Sequence, residues 1–96
     1  MAAGQIKITP ETMRQRATEY RKQANEVQTS YKNMDHLLQL LHAEWEGRAA
    51  DSYDARYRSL RPNFLKAETL INEIAKSLDN TAATLEQTDQ IIANAY

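Results

Sequence analysis

From Met13 to Trp45 the apolar positions recur at steps that alternate four and three without a break. The run is Met13, Ala17, Tyr20, Ala24, Val27, Tyr31, Met34, Leu38, Leu41 and Trp45. Alternation of this kind is a heptad seam, the stripe one helix offers to another. A second seam follows through Ala50, Tyr53, Tyr57, Leu60, Phe64, Ala67, Ile71, Ile74 and Leu78. Thr81, Leu85, Thr88 and Ile92 continue it with weaker residues. Only the stretch "AEWEGRAADSY", residues 43–53, separates the two. A connection that short makes neighbouring helices antiparallel. The spacing therefore predicts an all-α chain: an antiparallel two-helix hairpin forming one domain over residues 1–96. Helix one is expected over about 9–43, a Trp-Glu-Gly turn over about 44–48, helix two over about 49–92, then a short C-terminal tail. Each arm should be on the order of 50 Å long at 1.5 Å rise per residue.

Local signals agree with this layout. Thr9 suits an N-cap, Pro10 the first helical position, and Glu11 the positive end of the helix dipole. Gly47 lies between the seams, where the chain must reverse, and glycine adopts positive φ cheaply. Trp45 falls on the heptad line of helix one. Its indole has two readings: a core plug at the hairpin end, or an outward-facing contact. Pro62 is discordant, because proline inside a helix removes the bond to the carbonyl four residues back, at Arg58. A kink is expected there, or a break with Ser59 capping a restart.

One seam between two helices buries little surface for a chain of 96 residues. Leu37, Leu40, Leu65, Leu70 and Ile91 lie off the seams and need cover. Pairing with a second copy would supply it, giving a homodimeric four-helix bundle. The expected hairpin and dimer core is the seam set from Met13 to Leu41 and from Tyr53 to Leu78, with Leu37 added. Ala17 and Ala24 leave room for bulkier residues opposite, such as Phe64 and Ile71.

The same residues exclude several classes of function. Residues 1–44 hold six basic and five acidic side chains, and residues 45–96 hold six and eight. Neither half is basic enough for a nucleic-acid footprint. With no cysteine, disulfides and thiolate metal sites are ruled out. His36 and His42 are not at metal-ligand spacing, and neither cofactor nor metal is expected. Asp51 and Asp54 read as complements to the dipole of helix two. Arg56, Arg58 and Arg61 read as a solvated face with local pairing. The aromatics are mostly on the seams, so they read as core. No phosphate loop or nucleophile elbow is present, and the chain is not expected to be an enzyme. "MAAGQIKITPE" lacks the apolar run of a Sec-type signal peptide, and no stretch approaches the length of a spanning helix. Synthesis in the cytoplasm follows, and export by another machine stays open.

Length, hairpin, flanking heptads and Trp45-Glu46-Gly47 at the midpoint resemble the WXG family, the Esx-type substrates of type VII secretion related to the early secreted antigenic target of mycobacteria. "IKITPE", "SLRP", "LEQTDQIIA" and the closing aromatic are similar to Gram-positive members that form homodimers. The resemblance implies a virulence-associated protein secreted as a folded dimer by an FtsK-type membrane ATPase. It also implies that the turn of one subunit and the tail of its partner form the export signal. Many members carry a tail signal of Tyr, three residues, then Asp or Glu. This sequence ends at Tyr96 without the acid, which leaves Tyr96 as the aromatic half of a tail signal. Tyr31 and Asp35 have the spacing but lie within helix one. Membrane contact after release is a property of some members, and the seams carry no separate sign of it. Two other readings stay open: a cytoplasmic escort pairing with a larger substrate of similar helical fold, and a plain structural coiled-coil module.

Overall fold

The computed structural model describes residues 8–45 and 47–95. Two helices make up the fold: α1, Pro10–Glu44, and α2, Arg48–Ala95. They run antiparallel as a rod of 75 × 24 × 17 Å. The chain is thus an all-α helical hairpin. At the start of α1 the Thr9 hydroxyl oxygen accepts the Thr12 N–H at 3.1 Å, with Pro10 in the first turn. At its end Trp45 leaves the helix in extended backbone, while its N–H still donates to the Leu41 carbonyl at 2.9 Å. Gly47 then takes φ +120°, a conformation L-residues rarely adopt, and the chain turns back at once into α2. The Asp51 N–H donates to the Gly47 carbonyl at 3.3 Å, closing the first turn of α2.

Of the two outcomes expected at Pro62, a kink or a break, the break does not occur. α2 runs through it as one helix of 48 residues, with no restart capped by Ser59. Arg58 and Pro62 both lie on the exposed side of α2. The carbonyl freed by the missing N–H therefore has water within reach, which lowers the cost of proline in mid-helix.

The surface that α2 turns toward α1 differs from the seam of apolar residues. Its less exposed positions are 50, 54, 57, 61, 64, 68, 71, 75, 78, 82 and 85, with 67 and 79 beside them. This too is an alternation of four and three, but it passes through Asp54, Arg61 and Glu68. Tyr53, Leu60 and Ile74 sit beside it and stay exposed. The charged residues turn inward because each has a partner on α1.

Those partners form a polar edge along one side of the hairpin. Arg14 pairs with Glu86, Arg21 with Asp79, Tyr31 with Glu68 and Asp35 with Arg61. Near the turn, His42 Nε2 lies 3.8 Å from Asp54 Oδ2. The sign reverses along the edge: α1 supplies the cation at its start and the anion further on. A slip by one heptad would set Asp35 against Asp54 or Glu68, so the Asp35–Arg61 pair favours this register.

Behind the polar edge the contact is narrow. Met13, Ala17, Ala24, Tyr31, Ala50, Ala75 and Ala82 are the buried hydrophobic residues. Most are alanine, whose small side chain lets helix axes approach closely. Among the described residues no large side chain is fully buried. Two helices meeting over alanine leave the flanks of both open.

Candidate functional site

Two features converge at the turn end: an aromatic tip and an apolar groove. Trp45 is 44% exposed, because the residue that ends α1 has no next turn to cover it. Its ring lies 5.8 Å from that of Tyr53, tilted by 44°. Arg56, one turn further along α2, places its guanidinium 5.8 Å from the centroid of the Tyr53 ring. Trp45, Tyr53 and Arg56 thus form one contiguous surface of two aromatics and a cation, of the kind that anchors interfaces. Glu46, between Trp45 and Gly47, lies outside the described residues, as does Tyr96.

Next to the tip runs an apolar groove of about 530 Å³, lined mainly by Met34, Leu37, Leu40, Leu41, Tyr53 and Leu60, with Glu44 and Arg56 at its rim. It continues along the flank opposite the polar edge. Tyr20 and Leu37 on α1 are exposed there, as are Leu60, Leu70 and Ile74 on α2. Val27, Met34, Leu38, Leu41, Tyr57, Phe64, Ala67, Ile71 and Leu78 are half-buried between flank and seam. Leu65 lies apart on the other side of α2, and Ile91 projects near its end.

A polar network supports the groove from behind. Asp35 accepts two bonds from Arg61, from Nε at 2.9 Å and from Nη2 at 3.0 Å. The Tyr57 hydroxyl lies 2.6 Å from Asp35 Oδ1 and 2.8 Å from the Tyr31 carbonyl oxygen, sharing its one hydrogen between them. The Tyr31 hydroxyl donates to Glu68 at 2.8 Å, and the Arg61 guanidinium stands 5.1 Å from the centroid of the Tyr31 ring. Arg61, and then Tyr57, hold the Asp35 carboxyl below the ordinary carboxylate range. Burial, then the hydrogen bond to Asp35, raises the Tyr57 hydroxyl, and the bond to Glu68 raises that of Tyr31.

This network is invisible to a search for apolar periodicity. Arg61 had read as part of a solvated face, yet it crosses to α1. Asp54 had read as a dipole complement, yet it pairs with Arg58 at 2.8 Å and lies near His42. The available signal was polar: Arg14, Arg21, Gln28, Asp35 and His42 repeat every seven residues beside the seam. Tyr31 and Asp35, which share the spacing of the tail signal, are engaged inside the hairpin. Among the described residues no group of His, Asp or Glu could hold a metal ion, and no helix is long and apolar enough to cross a membrane. The arrangement offers a surface for another macromolecule.

Known proteins share the whole layout. Protein YukE of Bacillus subtilis is 37% identical over 92 residues, covering 96% of this chain and 95% of that protein. The type VII secretion system extracellular protein A of Staphylococcus aureus is 25% identical over 91 residues, covering 95% and 94%. The crystal structure of Geobacillus thermodenitrificans EsxA superposes with a TM-score of 0.86 at 37% identity, over 96% of this chain and 99% of that one. The secreted protein EsxB of Bacillus anthracis, 22% identical, has the same fold with a TM-score of 0.82, over 93% and 99%. The model of the family described as proteins of 100 residues with WXG matches residues 5–90. With that match over nearly the whole chain, and Trp45 and Gly47 at the tip of the hairpin, this protein belongs to the WXG100 family of Esx proteins associated with type VII secretion.

Proposed function

We propose that the protein is a small extracellular substrate of a type VII secretion system, exported as a folded homodimer. The membrane ATPase of the system reads the hairpin tip, with Trp45 as the anchoring side chain and the C-terminal tail around Tyr96 as a second element. The observation that carries this reading is the half-exposed indole, tilted against Tyr53 beside Arg56. A tryptophan packed between the two helices of the hairpin would be covered by its own chain. The name of the staphylococcal relative, an extracellular protein of a type VII system, supports the destination.

The test pairs folding with export. Trp45→Ala should keep its helical circular dichroism and its size, yet remain in the cell pellet when supernatant and pellet are blotted. Deleting residues 93–96 should give the same defect. An unfolded Trp45→Ala variant would make the indole structural. A folded variant exported normally would move the signal elsewhere.

A further inference from the structure

At the end of the rod opposite the turn, α2 runs on past the start of α1. The Arg14–Glu86 pair puts those two residues at one height. Four residues back along α1 is Pro10, its first residue, and four residues on along α2 is Gln90. Residues 91–95 of α2 therefore stand beyond the start of α1. Two isoleucines lie in that overhang. Ile92 continues the line of Phe64, Ile71, Leu78 and Leu85, which recur every seven residues and are half-buried against α1. Ile92 points the same way, yet it is 52% exposed, because α1 has already ended. Ile91, about 100° round the helix, is 68% exposed. The side of α2 away from Ile91 carries Asp89 and Gln90 at this height.

The sequence just before α1 matches this apolar strip. Thr9, the N-cap, has extended backbone with φ −89° and ψ 159°. Counted from that cap, Ile8 and Met13 hold the two positions of a hydrophobic staple, which fixes the angle at which a chain enters its helix. Met13 is buried toward α2, so a staple to it turns the entering chain toward α2. By the Arg14–Glu86 level, Ile8 stands at the height of Ile92. In extended chain residues two apart share a face, so Ile6 and Ile8 face together while Gln5 and Lys7 face away. Their Cα atoms are about 7 Å apart, close to the step between neighbouring side chains on a helix. Ile6 itself lies outside the described residues.

We propose that residues 5–8 cross the end of the hairpin as a strap, with Ile8 on Ile92 and Ile6 on Ile91 of the same chain. The reach fits. Packed helix axes are about 8–10 Å apart, and three extended residues cover about 10 Å. The chemistry fits too, because the segment alternates isoleucine with polar residues and the overhang offers isoleucine on one side alone. The strap ties the last turns of α2, which have none of α1 beside them, to the start of α1. It stands apart from the export reading. Where both hold, the strap fixes the point from which the tail departs.

The chain has no cysteine, so introduced pairs report on proximity without background. Ile6→Cys with Ile91→Cys should close a disulfide within one chain under mild oxidation. A non-reducing gel should show a monomer-sized band, with both thiols lost to a maleimide. Ile6→Cys with Gln90→Cys, at the same height on the other side, should stay reduced. In the cysteine-free chain, Ile6→Asp should speed amide exchange at residues 91–95 about tenfold and leave residues 64–82 unchanged, with circular dichroism showing both helices intact. A disulfide formed only between chains would give the overhang to a second copy and overturn the strap. So would the absence of any disulfide, equal cross-linking at Gln90, or exchange at residues 91–95 that Ile6→Asp leaves unmoved. None of these measurements reads export, so their failure leaves the proposed function standing.

Discussion

Gly47 and Trp45 show how differently two neighbours depend on their surroundings. At Gly47 the constraint is backbone: φ is +120°, and a Cβ added there meets nothing within 4 Å. Substitution is thus opposed by conformation and not by crowding. Gly47→Ala should cost about 1–3 kcal/mol. For a domain of this size each kcal/mol lowers the thermal midpoint by about 4–8 °C. Gly47→Leu should cost nearly the same, because the larger side chain points into open space. A thermal melt with the leucine variant far below the alanine variant would mean that the tip is crowded. The turn was legible in the sequence because few residues there could reverse the chain. Trp45 was not settled by its heptad position. A seam register says which way a side chain points within a helix, and Trp45 stands one residue beyond the helix end.

Element by element, the apolar seam of α1 lies largely inward, and that of α2 does so at Ala50, Tyr57, Phe64, Ile71 and Leu78 but not at Tyr53, Leu60 and Ile74. The cause is in the residues themselves. Tyr53, Leu60 and Ile74 are more apolar than Asp54, Arg61 and Glu68, so hydrophobicity alone chooses the former. Tertiary pairing then turns the charged set inward and leaves the apolar set for a second surface. The unbroken passage through Pro62 has the same lesson: exposure of one face decided the cost. The paired edge should also set the response to pH. Asp35 and Glu86 are held below their ordinary carboxylate values by Arg61 and Arg14. Their contribution is present above the unfolded value near pH 4 and is lost as pH falls through the depressed folded values. Tyr31 and Tyr57 are raised, so their contribution is present below the unfolded value near pH 10 and is lost as pH rises through the folded values. Urea midpoints should therefore be level between about pH 5 and 9 and fall on both sides. Asp35→Asn should flatten part of the acid limb. An acid limb unchanged by that substitution would remove Asp35 from the account.

For the whole molecule, the radius of gyration of 21.5 Å is far above the roughly 12 Å of a globular domain of this length. A rod two helices wide has no interior of its own. Leu37 at 61% exposed and Leu70 at 49% are the visible remainder. They were legible in the sequence as leucines off the seam, although the identity of their cover was not. Light scattering at micromolar concentration should report twice the 11.0 kDa chain mass. Leu60→Glu should shift the protein toward monomer, since a carboxylate in that flank would be buried without a partner. An unaffected dimer would place the contact on another face. The hairpin layout has a mechanical side as well. α1 begins and α2 ends at the same extremity of the rod, opposite Gly47. A force pulling those two points apart loads one cross-link at a time: Arg14–Glu86 first, then Arg21–Asp79, then Tyr31–Glu68. A force between the tip and either helix end loads all of them together in shear. The same contacts therefore yield readily to peeling and resist stretching, and the direction of pull decides how strong this rod is.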